Sequence, residues 1–216
     1  MKVYFISGLA ADKRVFKYIQ LPQGYEAVYL DWITPEKEEP LPAYALRMAE
    51  SIDKSEPFAL VGLSFGGMLA TEIAKQYPSA ATILISSIPI STQLPGYFRW
   101  AGKLKLHKIV PPSVIKVSAA TKRFFTRESN EDKKLLWQII NESDTDLIRW
   151  SLQAILSWHN EAIPAPIWQI HGTRDGVLPV KFTQPTYTIP RAGHLMIMTQ
   201  PDVVNDYLAK VLTGSI

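Results

Sequence analysis

At 216 residues, 47% hydrophobic and 20% charged, the chain can bury a sizeable core in one domain and is too apolar for a disordered polypeptide. It contains no cysteine, which excludes disulfides, thiol nucleophiles and thiolate metal sites, and its net charge is only +3. No apolar run suggests a membrane span, and the start of the chain lacks a secretory signal pattern, so a cytoplasmic protein is expected.

Val3 to Ser7 reads as a buried strand that ends in Ser7-Gly8-Leu9-Ala10. Asp12 can cap a helix reaching Tyr18 or Gln20, closed by Leu21-Pro22-Gln23-Gly24. Tyr25 to Trp32 is a second strand; Asp31-Trp32 at its end, on the active edge, could line a pocket, with loop capping the favoured reading. A loop carrying Pro35, Pro40 and Pro42 leads to a helix over Ala43 to Ile52. Phe58 to Leu63 is then an unbroken apolar run, followed by Gly62-Leu63-Ser64-Phe65-Gly66 and a helical pattern ending at Tyr77-Pro78. Strand, glycine-flanked serine turn and helix form the context in which G-x-S-x-G reads as a nucleophile elbow. The serine then needs a positive φ, and glycines two residues to either side remove Cβ atoms where strand and helix approach. A Gly-Gly after a strand can also be no more than a tight turn, so the downstream partners must decide.

Ala81 to Ser87 is another apolar strand. Strands that alternate with helices and are apolar on both faces imply a doubly wound parallel sheet, with ligands at the strands' carboxyl ends. Ser7-Gly8-Leu9 and Ser64 both sit at such ends.

The rhythm breaks after Ile88-Pro89. Up to about Ile163 the pattern is helical: Tyr97 to Val110, Ser113 to Phe125, a third helix capped by Ser129 or Asn130, and a fourth begun by Ser143 or Asp144. Residues 89–163 are therefore expected to be a helical cap inserted into a core made by residues 1–88 and 164–216. From Ile90 to Arg127 there are eight basic residues and no acidic one, which leaves 23 − 8 = 15 basic against 20 acidic elsewhere. This stretch can be a solvated helix face. It can also attract an anionic acyl substrate, such as one on coenzyme A, an acyl carrier or a free carboxylate. A third choice is that Tyr97-Phe98-Arg99-Trp100 and the lysines rest on an anionic membrane. Nucleic acid is not expected, because no binding module surrounds the stretch. Trp100, Trp137, Trp150 and Trp158 fall on apolar helix faces and read as cap core, with His107 and His159 at ordinary positions.

After the linker Pro164-Ala165-Pro166, Ile167 to Ile170 is a strand ending in His171-Gly172-Thr173-Arg174-Asp175. Tyr187 to Pro190 is a last short strand, followed by Gly193-His194. Pro201 opens a terminal helix to Leu212 with Val204, Tyr207, Leu208 and Val211 facing inward. His171 is read as shaping the turn beside the elbow. No histidine or carboxylate pair has metal-ligand spacing, and neither metal nor cofactor is expected.

A serine elbow needs a base and a group that orients it. Asp175 stands at the end of a predicted strand and His194 in the turn after the last one, in the order Ser64, Asp175, His194. On these motifs, and on the helical insertion, nearly the whole chain resembles the α/β-hydrolase superfamily, specifically its small capped esterase-like members. The resemblance implies a mostly parallel sheet of about six strands, the family's first two being absent. It also implies cleavage of a small carboxylic ester or thioester through an acyl-enzyme. Ser64 would attack, His194 would take its proton, and Asp175 would fix the imidazole. The backbone N–H groups of Phe65 and Leu9, with Ala10 as the other choice beside Leu9, would hold the oxyanion. A serine nucleophile argues against dehalogenase or epoxide-hydrolase chemistry. Two features depart from the family: Ser7-Gly8 replaces His-Gly, and Val177 to Thr186 is barely long enough for a crossover helix, which leaves the Asp175 loop less braced. Two rivals remain open, a lyase-type or C–C bond-cleaving member and a catalytically silent member that binds a small ligand.

Overall fold

Short apolar segments with little side-chain polarity pair into a six-stranded sheet in the computed structural model, which describes residues 1–98 and 128–216. The strands are β1 (Lys2–Ile6), β2 (Glu26–Leu30), β3 (Phe58–Leu63), β4 (Ala81–Ile85), β5 (Ile167–Gly172) and β6 (Tyr187–Ile189). All neighbours are parallel and the spatial order is β2-β1-β3-β4-β5-β6. The chain moves outward from β1 to β2, then returns to place β3 on the other side of β1. That reversal opens a crevice at the carboxyl ends of β1 and β3. The loop after β1 and the turn after β3 both emerge there.

Residues alternate between two cores along each strand. Tyr4, Ile6, Phe58 and Leu60 face one cluster with α1 (Leu41–Met48) and α2 (Phe65–Gln76). Val3, Phe5, Ala59 and Val61 face the other, with the terminal helix Pro201–Leu212. That helix begins with Pro at its first turn and buries Val204, Tyr207, Leu208 and Val211, as its spacing predicts. A short helix, Met196–Thr199, precedes it and is too brief to leave a periodic signal.

Two helices of the 89–163 insertion lie within the described residues. They are α3 (Asn130–Glu142), capped by the Ser129 hydroxyl on Asp132 N, and α4 (Thr145–Ser157), capped by the Asp144 carboxylate on Leu147 N. The helices expected over Tyr97 to Val110 and Ser113 to Phe125 lie essentially outside the described residues. The two described helices divide between the cores: Leu136 and Ile139 join one, Trp150 and Ala154 the other. Trp150 packs on Tyr44 with ring centroids 4.0 Å apart and meets Phe65 edge-on at 5.9 Å. Its Nε1–H donates to Glu39 O at 2.8 Å, and Trp158 Nε1–H donates to the buried Glu72 Oε1 at 2.8 Å. Both rings anchor the α4 segment to α1, α2 and the loop before α1, with their polar atoms satisfied.

Several local expectations change. The helix after Asp12 is a single 3-10 turn, Lys13–Phe16, because the Asp12 carboxylate accepts from Arg14 N and Val15 and Phe16 turn in to meet the sheet. The helix placed at Ala43 to Ile52 starts earlier, at Leu41, and gives way to a 3-10 turn over Ala49–Ser51. Trp137, expected in the cap core, is 49% exposed, since Leu136, Ile139 and Ile140 already supply the inward face of α3. Trp150→Ala should therefore cost roughly 3–5 kcal/mol in urea unfolding, while Trp137→Ala should stay within about 0.5 kcal/mol. Equal losses at the two positions would contradict this division of the tryptophans.

Candidate active site

Ser64 sits between β3 and α2 with φ 52° and ψ −119°, a conformation that a non-glycine residue holds only when its surroundings force it. Here the force comes from close packing. A Cβ on Gly62 would lie 2.4 Å from Gly67 Cα, and one on Gly66 would lie 2.2 Å from Ile6 O. The turn is pinned by Ser64 N–H donating to Ile85 O at 2.9 Å and Gly67 N–H donating to Ser64 O at 2.9 Å. Ser87 Oγ also donates to Ser64 O.

The two downstream strands bring the other groups to the serine. His194 Nε2 lies 2.9 Å from Ser64 Oγ, and His194 Nδ1 lies 2.8 Å from Asp175 Oδ2. A carboxylate can only accept, so Nδ1 carries the proton and Nε2 of the neutral ring is left to accept from the serine. Ser86 Oγ donates to His194 O at 2.8 Å. The end of β4 thus holds the main chain of both Ser64 and His194 through adjacent hydroxyls.

Asp175 is buried in the turn after β5. Its Oδ1 accepts from Val177 N at 2.8 Å and Leu178 N at 2.9 Å; its Oδ2 faces His194 Nδ1 and, at 3.2 Å, His171 Nε2. Burial would push this carboxyl up. The charge that His194 can carry, with the hydrogen bonds from His171 and His194, outweighs it and holds the group well below the usual carboxylate range. The crossover between β5 and β6 holds only a 3-10 turn, Val180–Phe182, as its length implies. Tyr97 OH donates to Val177 O at 3.0 Å and ties the start of the insertion to the Asp175 loop.

On the other side of the serine, residues Gly8 to Ala11 form a tight turn closed by Ala11 N–H on Gly8 O at 3.1 Å, with Ala10 at φ 54°. Gly8 lets this loop touch the elbow: a Cβ there would stand 3.3 Å from Ser64 Cβ. Ser7 has a task in the loop, its Oγ donating to Ala11 O at 2.9 Å. Trp32 Nε1–H donates to the same carbonyl at 2.7 Å. Phe65 opens α2, so its N–H has no acceptor within the helix. A cleft of about 590 Å³ starts at Leu9 and Ala10 and runs past Trp32 and Ile33 to Ile139, Leu147 and Ile148. Of the carboxylates that line it, Asp12 and Glu142 pair with Arg14 and Asp146 with Arg149, while Asp144 accepts from Leu147 N.

The remaining candidates separate. His171 shapes the turn after β5, its Nε2–H donating to Leu178 O at 2.7 Å beside Asp175. Asp31 is exposed, whereas Trp32 lines the cleft and stacks on Phe65 at 5.8 Å with planes 10° apart. His159 is exposed near Glu161, and His107 and Trp100 lie outside the described residues, as do all eight cations of the basic stretch. Among the described residues no group of three or more potential ligands could hold a metal ion. No described helix is long and apolar enough to cross a membrane. Ser86 and Ser87 left no mark in the sequence beyond ending a strand.

The Asp175 carboxyl titrates below its unfolded value of about 3.9, so its ionised form favours the fold above that pH. That contribution is lost as the pH falls through the folded value. The stability gap between wild type and Asp175→Asn, measured by urea unfolding, should be widest above about pH 5 and narrow steadily toward about pH 2. A gap that stays constant over that range would contradict an ionised, donor-saturated Asp175.

Comparison with known proteins follows the same outline. No curated protein matches the sequence. Among solved structures, MenH from S. aureus superposes with a TM-score of 0.78 at 17% identity, over 99% of this chain and 94% of its own. A thermophilic esterase from Thermogutta terrifontis, with malate bound, gives 0.74 at 17% identity over 99% and 90%. The esterase EaEST from Exiguobacterium antarcticum gives 0.72 at 19% identity over 96% and 90%. At such identities the likeness is one of fold. The family model for the alpha/beta hydrolase family matches residues 3–207, from β1 into the terminal helix, and the chain belongs to that family.

Proposed function

We propose that the protein is a serine hydrolase that cleaves a small carboxylic ester or thioester through an acyl-enzyme on Ser64. The observation that carries this reading is the unbroken hydrogen-bond chain from Ser64 Oγ through His194 to a buried Asp175. Ser64 Oγ attacks the substrate carbonyl carbon while His194 Nε2 takes its proton. Asp175 keeps the proton on Nδ1 and stabilises the imidazolium that forms. The oxyanion is held by the N–H groups of Phe65 and Leu9, each worth roughly 3–4 kcal/mol in the transition state. His194 then returns its proton to the leaving oxygen or sulfur. Water, deprotonated by the same imidazole, releases the acid and restores Ser64.

Apolar walls at Leu9, Trp32 and Ile33, in the cleft that opens at the loop after β1, favour an uncharged acyl or alcohol group there. The surplus of cations between Ile90 and Arg127 adds attraction for a carboxylate or phosphate elsewhere on the substrate.

A fluorophosphonate probe should label the folded protein at Ser64, and Ser64→Ala should abolish both labelling and turnover of nitrophenyl esters. Labelling without ester turnover would favour C–C bond cleavage, and no labelling would leave a ligand-binding protein. Asp175→Asn should lower kcat by about 10⁴-fold, because an amide at this place imposes the wrong imidazole tautomer. Activity should fall on acidification as His194 gains a proton; a flat profile would remove His194 as the base. Charge reversal at Lys103 and Lys105 should raise KM for anionic substrates and leave neutral ones unchanged. Equal effects on both would assign the stretch to a solvated face.

A further inference from the structure

His171 lies inside the molecule, at the end of β5, with its side chain fully buried. Its Nε2 is 2.7 Å from Leu178 O and 3.2 Å from Asp175 Oδ2. A carbonyl oxygen can only accept, so Nε2 carries a proton; it is given to Leu178 O, and the same N–H lies 3.2 Å from the carboxylate oxygen that takes His194 Nδ1–H. The other ring nitrogen, Nδ1, is buried without a partner among the described residues. Leaving it so is costly, and an apolar ring would fill the space without that cost. What His171 alone supplies is the Nε2 donor.

This donor falls where the fold is thin. A parallel crossover ordinarily carries a helix that braces the loop leaving the strand, but between β5 and β6 there is only the turn Val180–Phe182. His171 reaches across the loop from the strand itself and holds both its acid, Asp175, and its far end, Leu178. Three hydrogen bonds then hold the carboxylate, Val177 N and Leu178 N on Oδ1 and His194 on Oδ2, and His171 Nε2–H stands 3.2 Å from Oδ2 as a fourth, longer contact.

We propose that His171 is a positioning residue, its Nε2–H replacing the missing crossover helix as the brace of Asp175 and limiting how strongly Asp175 Oδ2 attracts the proton of His194. Among the described residues, the titratable groups facing Asp175 are His171 from β5, His194 from the turn after β6, and the Tyr97 phenol from the start of the insertion, which feels the Asp175 charge. Removing the His171 donor leaves Oδ2 with His194 alone. The imidazolium is then better stabilised, and the acid limb of kcat/KM moves to higher pH.

The kinetic part rests on the hydrolase reading above; the tautomer does not. In the full-length protein, His171→Gln keeps a donor near the Nε2 position and His171→Phe removes it. With a nitrophenyl ester, His171→Gln should stay within about threefold of wild type with its acid limb in place. His171→Phe should lose about tenfold and shift the limb upward by about half a pH unit or more. A limb unmoved in His171→Phe, or the same losses in both variants, would reduce His171 to core filling and overturn the proposal. Nitrogen-15 spectra of the wild-type histidines decide the matter if His171→Phe does not fold or if wild type turns over no ester. The neutral His171 ring should be protonated at Nε2 and bare at Nδ1. The opposite tautomer would overturn it.

Discussion

One buried carboxylate governs the geometry at the carboxyl edge of the sheet. Asp175 is taken out of water, which by itself favours its neutral form, and it stays ionised because donors meet it from both sides. Two of these are main-chain N–H groups of its own turn and one is the His194 imidazole, with the His171 imidazole 3.2 Å away. Each donor therefore has a second consequence: the amides fold the loop, His171 ties the loop to β5, and His194 is oriented toward Ser64. A buried charge with fewer partners would be a liability here; fully paired, it orders three segments that are distant in sequence.

The opposite side of the site depends on sterics rather than charge. β3 and α2 approach so closely at the elbow that glycine at positions 62 and 66 is obligatory, and the strain at Ser64 is stored by that packing. The strand order reverses at β1, which brings the loop after β1 beside the elbow. Ser86 and Ser87 at the end of β4 link the two halves by bonding the main chains of His194 and Ser64. The site is thus held by strand ends, which are the most rigid anchors the fold offers.

Local signals made much of this legible in the sequence. The apolar run Phe58–Leu63 before Gly62-x-Ser64-x-Gly66, and Pro201 before an inward-facing i, i+3, i+4, i+7 set, carry their structure in their own spacing. So did the order of Ser64, Asp175 and His194, since each follows a predicted strand. Contacts made across the fold carried no such signal. Nothing in His171-Gly172 says that the ring turns toward Asp175, and nothing in Ser86-Ser87 says which carbonyls they meet. Trp137 has helical spacing like Trp150, yet one is exposed and the other buried, because periodicity gives a face and not the neighbour that covers it. The single turn after Asp12 was likewise decided by Val15 and Phe16 finding the sheet, which overrode local helix propensity.

The central claim is that Ser64 becomes acylated during turnover. Rapid quenching of the protein during the first turnovers of a nitrophenyl ester, followed by peptide mass spectrometry, tests it most directly. The peptide containing Ser64 should carry one acyl group that decays as product appears, and the adduct should be absent from Ser64→Ala. An adduct on another residue, or steady turnover with no acylated Ser64 and with Ser64→Ala still active, would contradict it.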